Sequence, residues 1–504
     1  MPFVLAALVV FGALARGAHD LWAATLVYLA ALGLLAWMAL ESSWSEETPG
    51  WPALFLLPLA GVAGVFGLSY LSSPSPSWLG WTDWLAACVF FLAALRAFRS
   101  EESLDALLRI VAPLFWVELA LVLWQRLNST SFLGFQPGGT MVNSNLLAAF
   151  TVLWLPPLLA QRSHGAWAAA LCLLSLNSAW GVVCALLASL WIFDPRAWAA
   201  KRPKEAAFAG SVLAAAAVAL VGAKLEGFAS LSQWWLSGFN VFRNFPWLGA
   251  GIGSFPSVYL AFKTAGAAQH TLFAHSNLIA LLAETGLLGV LSLAVLLGVW
   301  WKHAVPARKP YLAGLAAFAL FGLVSLSLEY LVNLLCAAMF LGIAAAPDTK
   351  QDWKPRKAVG LVLAALCLAA VPFTVSPFLA SRKCVAAEER LAAGSAEEAV
   401  RLFRGALSLD ARSVEARRGL ARALMAQHEN SRDRKDLERA ADVQREAIQR
   451  DLFNGMLYGE LGEILMRQGL IEEGAREFDE AVQLNAPDKR FAKMLSALRG
   501  GVER

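Results

Sequence analysis

The sequence predicts an all-α fold: a polytopic α-helical membrane domain of about 12–13 spans, then a soluble array of helical repeats. Three observations predict it. Of 504 residues, 58% are hydrophobic, with 20 Trp, 29 Phe and a mean hydropathy of +0.55, which is outside the range of soluble domains. Apolar runs of span length recur as far as residue 380. Near residue 381 the composition then changes sharply, and SRKCVAAEERLAAGSAEEAVRLFRGAL opens a charged, Ala-rich tail.

The first run, MPFVLAALVVFGALA, has no basic n-region and no clear cleavage site, so it reads as a retained span rather than a signal peptide. Further runs lie at 20–40, 51–72, 80–96, 106–125, 145–160, 166–177, 179–193, 206–223, 278–300, 311–328, 333–346 and 359–379. Basic residues decide their orientation. Arg96/Arg99, Arg162, Arg196/Lys201/Arg202/Lys204, Lys302/Arg308/Lys309 and Lys350/Lys354/Arg356/Lys357 fall on one side, taken as cytoplasmic. The other side holds few: Arg16, Arg126, Lys224, Arg243 and Lys263. The loop from about 224 to 276 is then extracytoplasmic, and an odd number of spans carries the tail (381–504) out as well. In a bacterial inner membrane that side is the periplasm, which lacks ATP and nucleotide sugars. A transferase acting there needs a substrate already activated on a lipid.

Within the tail, AAGSAEEAVRLFRGALSLD (392–410) aligns with RQGLIEEGAREFDEAVQLN (467–485): Gly394 with Gly469, Phe403 with Phe478, Ala406 with Ala481. A weaker copy at 437–451 lies between them, after an insertion around NSRDRKD. This pattern resembles tetratricopeptide repeats, roughly three of them. Such an array implies a surface for a periplasmic protein partner or a glycan, or else a spacer.

Several function classes are excluded. A net charge of +4 gives no argument for nucleic acid. The six cysteines (Cys88, Cys172, Cys184, Cys336, Cys367, Cys384) lack ligand spacing, so they read as packing residues, and neither a metal nor another cofactor is expected. GAGIGSF (249–255) has no strand–helix context for a dinucleotide; its glycines read as a tight turn. The aromatics Trp234, Trp235, Phe245, Trp247 and Phe255 read as interfacial anchors.

The polar chemistry gathers in QHTLFAHSNLIALLAETGLLG (269–289). Ser276 or Asn277 suits the N-cap of the following helix. Capping does not call for His270 or His275, and with Arg243 and Lys263 they suggest an electropositive pocket for phosphate. Asn277 and Glu284, seven residues apart, share a helix face. Glu284 lies inside an apolar span, where an ionisable group is a functional candidate.

FPWLGAGIGSF followed by AHSNLIALLAETGLLG resembles the signature of the O-antigen ligase and polymerase superfamily. GTMVNSNLLAAFTVLWLPPLL (139–159) resembles that family's Asn-x-Asn entrance to a span, and Gln125 fits its usual position. The layout covers roughly residues 50–345, and these three stretches carry the specific match. The resemblance implies a metal-independent glycosyltransferase that takes a glycan from undecaprenyl pyrophosphate. The acceptor would be lipid A core in a ligase, a growing polysaccharide in a polymerase, or a protein hydroxyl in an oligosaccharyltransferase; the ligase reaction is the leading expectation. Guanidinium suits a diphosphate leaving group, and a neutral imidazole suits hydroxyl activation. His275 and Arg243 are therefore expected to be catalytic, with Arg126, Asn143, Asn145, Lys263, His270, Asn277 and Glu284 binding substrate. The chain departs from the family where an Arg usually stands: Ala179 occupies one such position and Ser230 or Leu231 another, which puts the diphosphate on Arg243, Arg126 or Lys224. Outside this class stand a haem-handling protein, whose WGxxW spacing WWLSGFN does not supply, and a transporter, which needs paired broken helices and intramembrane charges such as Glu118 or Glu329.

Overall fold

The computed structural model describes residues 1–45, 50–128, 138–141, 143–176, 178–192, 231–265, 267, 271, 273–325, 327–345 and 352–502. The apolar run 206–223, the basic residues 196–204, Lys224, Lys350 and His270 lie outside them.

The described chain is all-α apart from one two-stranded ladder. Its first eight helices are α1 (Pro2–Leu14), α2 (Leu21–Trp44), α3 (Ala53–Leu71), α4 (Trp78–Ala97), α5 (Glu101–Leu127), α6 (Ser144–Ala160), α7 (His164–Ser175) and α8 (Ala179–Ile192). A helix α9 over 231–244 precedes α10 (Phe255–Phe262), α11 (Asn277–His303), α12 (Lys309–Gly322), α13 (Leu331–Ala344) and α14 (Lys357–Ala392). Twelve of the thirteen apolar runs coincide with helices. Six helices (α2, α3, α4, α5, α11, α14) are long and apolar enough to cross a membrane. The run 311–328 is helical only to Gly322, and the chain turns through 323–330 before α13.

Polar residues mark where helices begin. Ser100, Asn143 and Ser163 accept backbone N–H groups at the starts of α5, α6 and α7. Between them the helices pack through an aromatic core in which Phe150 lies between Phe115 and Trp154, and Trp154 meets Phe340 edge-on.

The bundle has two distinct ends. At one, β1 (Trp51–Pro52) pairs antiparallel with β2 (Asp352–Trp353). Arg308 meets Glu101 at 2.8 Å, and Arg96 meets Glu41 at 2.9 Å; the described basic clusters gather at this basic end. At the other end lie the 231–276 loop, the 323–330 turn and the tail, with His19 stacked on Tyr330 at 4.8 Å.

The tail holds α15 (Ala396–Leu409), α16 (Val414–Ser431), α17 (Arg434–Arg450), α18 (Gly455–Gln468), α19 (Ile471–Gln483) and α20 (Lys489–Val502). They form three helix pairs: the last turns of α14 with α15, α16 with α17, and α18 with α19, with α20 closing the stack. Phe403, Leu420, Leu424, Leu437 and Leu461 fill their shared core. The compositional boundary at 381 is no break in the backbone. α14 runs through it, and Ala380, Cys384 and Ala387 join the repeat core, so the last apolar helix also supplies the first helix of the first repeat. SRKCVAAEERLAA is rich in helix formers, so the surroundings change at 381 while the helix does not.

Candidate functional site

The motif residues fall into two groups with different physical roles. The first is an interlock between the loop and α11. Gly286 breaks α11, with φ 63° and ψ −164°. Loop backbone satisfies the groups near the break: Ala283 O accepts from Ala250 N at 2.8 Å, and Glu284 O accepts from Gly251 N at 3.0 Å. Leu287 N donates to Pro246 O at 2.8 Å and Leu288 N to Trp247 O at 3.1 Å. The two backbones touch. A Cβ on Gly249 would stand 2.2 Å from the Glu284 carbonyl carbon, and one on Gly286 would stand 2.5 Å from that of Trp247. Glycine at both places is therefore steric necessity.

Glu284 belongs to this interlock. Its carboxylate accepts from Phe255 N at 3.0 Å and from the backbone N–H of Gly253, while Ser69 Oγ donates to its carbonyl at 2.7 Å. A buried carboxylate two turns inside an apolar helix thus holds the turn that leads into α10. Phe255, read as an interfacial anchor, is instead buried in the loop's own core with Val258 and Tyr259.

The second group surrounds His275. Its backbone is left-handed, φ 52°, an unfavourable conformation for a residue with a Cβ. Its ring stacks on Trp234 with centroids 4.3 Å apart and planes at 22°, and its carbonyl accepts from Trp235 Nε1 at 3.3 Å. Trp234 and Trp235 therefore form the platform of the histidine.

Nε2 of His275 lies 3.2 Å from Thr271 Oγ1. That hydroxyl has one proton, and Phe273 O at 2.9 Å competes with Nε2 for it. With the Thr271 proton on Phe273 O, Nε2–H donates to Oγ1 and the lone pair stands on Nδ1; with that proton on Nε2, Nδ1 carries the ring proton. Burial pushes the imidazole down to about 4, so the ring is neutral at neutral pH.

The other candidates are dispersed. Asn277 ties the start of α11 to the 323–330 turn: Nδ2 donates to Ser327 Oγ at 2.5 Å, and Oδ1 accepts from Ser327 N and Leu328 N at 3.3 Å. Ser276 is the N-cap, without a side-chain cap bond. Asn143 caps α6 by accepting from Asn145 N at 2.8 Å, and the half-buried Asn145 follows it into the helix. Gln125 accepts from Gly138 N and Gly139 N, each at 3.0 Å, and Glu118 accepts from Thr140 N at 2.8 Å. Both polar groups thus fold the turn ahead of α6. Arg126 is exposed at the end of α5.

The expected pairing of His275 with Arg243 does not form. Arg243 is exposed on α9, nine residues beyond Trp234, hence about 13.5 Å farther along the helix and half a turn around it. Lys263 is better placed. Its neighbour Thr264 is anchored to the first turns of α9, with Oγ1 donating to Gln233 Oε1 at 2.6 Å and N donating to Ser237 Oγ at 3.0 Å. On the other side of Lys263, Phe262 O accepts from Asn240 Nδ2 at 3.3 Å, so the half-buried Lys263 lies beside the middle of α9, closer to Trp234 than Arg243 is.

The tail also touches this loop, a contact the sequence reading missed. Phe453 lies against Phe245 and Phe262, with centroids 6.0 and 5.2 Å away. Leu452 N donates to Pro74 O at 3.2 Å, Asn485 Nδ2 donates to Leu260 O at 3.1 Å, and Ser75 bonds Asp451. The available signal was DLFNG (451–455), which places Leu and Phe in the turn between two repeat helices.

Comparison with known families matches a tetratricopeptide repeat at residues 390–432. The tail therefore carries that repeat. Comparison with curated proteins finds no match.

Proposed function

We propose that the chain is a polytopic membrane protein that transfers a glycan from a polyprenyl diphosphate to an acceptor hydroxyl, with its 231–276 loop and repeat tail on the extracytoplasmic side. Support for the placement comes from six span-length apolar helices and from basic residues gathered at the end opposite the loop. O-antigen ligation is the leading reaction. Polymerisation and protein glycosylation differ from it only in the acceptor.

The observation that carries the chemistry is His275, neutral and fixed on Trp234; the reaction uses the tautomer in which Nε2–H donates to Thr271 Oγ1 and Nδ1 accepts. The acceptor O–H donates to Nδ1, its oxygen forms the new bond to the sugar carbon, and the bond from that carbon to the diphosphate oxygen breaks. The proton passes to Nδ1 or to the departing diphosphate. A bound diphosphate raises the basicity of the imidazole, because a nearby negative charge favours the protonated ring. The diphosphate itself falls to cations among Lys263, Arg126, His270 and Arg243, with Lys263 favoured by its position. The break in α11 favours this reading over transport, since its backbone groups are bonded to the loop rather than left to coordinate an ion.

Deletion in the host followed by surface-glycan gels tests the proposal. Loss of lipid-attached polysaccharide supports ligation. Loss of long chains with single units kept assigns polymerisation, and loss of glycoprotein bands assigns protein transfer. Unchanged glycans in the deletion strain, or full complementation by His275→Ala, overturn it.

A further inference from the structure

A groove of about 530 Å³ lies on the flank of the bundle between α2, α3, α4 and α14. Its walls are apolar, with Leu35, Leu59, Leu85 and Leu92 among them, and Phe373 at its rim is 73% exposed. Along α4 it runs from Trp78 to Leu92, about 21 Å at 1.5 Å per residue. That exceeds half of a hydrocarbon core about 30 Å thick.

A cation closes the loop end of this apolar slot. Arg412, in the turn between α15 and α16, lines it together with Tyr70. Arg412 Nη1 donates to the Tyr70 hydroxyl at 2.8 Å, and among the described residues the guanidinium has no carboxylate partner. Four of its five N–H donors remain, in the fork geometry that suits phosphate oxygens.

We propose that the groove holds one acyl chain of an anionic phospholipid, with the headgroup phosphate on Arg412, so that a membrane lipid bridges the repeat tail and the bundle. The proposal rests on the membrane reading and not on the transfer chemistry. The face of α3 that lines the groove (Leu56, Leu59, Ala60, Ala63, Tyr70) is about 120° around the helix from Ser69, through which α3 meets α11. The lipid is therefore set apart from the His275 platform. An apolar slot favours the chain, and charge complementarity at its mouth favours the anionic headgroup.

Native mass spectrometry of the full chain released from detergent, titrated with phosphatidylglycerol, phosphatidylcholine or a polyprenyl phosphate, tests this. One phosphatidylglycerol is expected to bind more tightly than phosphatidylcholine. Arg412→Gln should weaken it about fivefold and erase the preference. Ala60→Phe, a plug at the exposed rim, should remove the tight site while Arg412 remains. Equal binding of the two phospholipids, or unchanged binding in both variants, overturns the proposal. So does tighter binding of polyprenyl phosphate at the same site, which would assign the groove to the carrier. Glycan transfer in the host is read separately, so either proposal can fail alone.

Discussion

Two neighbouring regions, the α11 interlock and the His275 platform, use polar and glycine residues to opposite ends. In the interlock polar groups are taken up by the loop: the carbonyls of Ala283 and Glu284, the N–H groups of Leu287 and Leu288, and the Glu284 carboxylate are all bonded. At the platform, a residue with a Cβ is held at φ 52°, and among the described residues only one of its two ring nitrogens has a hydrogen-bond partner. Saturated polarity builds structure; unsaturated polarity held in a strained conformation is available for chemistry. A motif that spans both regions therefore marks two things at once.

Substitution should separate them, and the largest effect is expected in the interlock. Gly286→Ala puts a methyl 2.5 Å from backbone that cannot retreat, at a φ that disfavours any side chain. A loss of about 3 kcal/mol or more is expected, read as loss of the monodisperse peak in detergent gel filtration. Gly394→Ala serves as the control: it also has positive φ, but nothing lies within 4 Å of its added Cβ, so it should remain folded. If Gly286→Ala melts like the parent, the interlock is not as tight as described.

Next comes His275→Ala. Alanine keeps a Cβ, so the left-handed strain at φ 52° remains and only the packing on Trp234 is lost; stability should fall modestly, while transfer falls about 100-fold or more. A fall in melting temperature that accounts for the lost activity would move His275 into the structural class.

The pH dependence is of similar kind and somewhat smaller. The folded imidazole is held at about 4 against about 6.5 when unfolded. The unfolded chain therefore binds the proton first as pH falls. The associated stability is fully present above pH 6.5 and is lost as pH drops towards 4, by about 2 kcal/mol between pH 7 and pH 5. Comparing melting curves of the parent and His275→Ala isolates this contribution. A slope that survives in the variant assigns it to other groups.

Helices were legible because an apolar run of span length has few other ways to satisfy its backbone, and the repeat tail was legible through Gly394/Gly469 and Phe403/Phe478. Glu284 was legible as unusual but not as a clamp, because its partners are backbone N–H groups of a loop some thirty residues upstream, and N–H groups carry no residue identity. The same reason hid the role of Gly249: a glycine needed for close approach looks the same in sequence as one needed for a turn. The continuity of α14 through 381 was masked by a change of composition that the helical backbone ignores. The helix 231–244 was hidden inside a segment read as loop, and without it Arg243 and His275 could not be placed relative to each other.

That last point yields the sharpest and smallest prediction. Arg243 was favoured because guanidinium binds diphosphate best, a correct argument about chemistry that says nothing about position. On α9 it lies half a turn and about 13.5 Å from Trp234, whereas Lys263 lies beside the middle of that helix, between the Phe262 bond to Asn240 and the Thr264 bonds to Ser237 and Gln233, and so closer to that tryptophan. If the diphosphate sits by His275, Lys263→Ala should lower kcat/KM about tenfold, mostly through KM, as expected for one lost phosphate contact. Arg243→Ala should change it less than about twofold, because an exposed cation far from the reacting atoms contributes only screened attraction. In vitro transfer from a purified polyprenyl diphosphate glycan measures both. The reverse ranking would mean that the headgroup lies along the outer face of α9, and that His275 orients a substrate whose charge is held elsewhere.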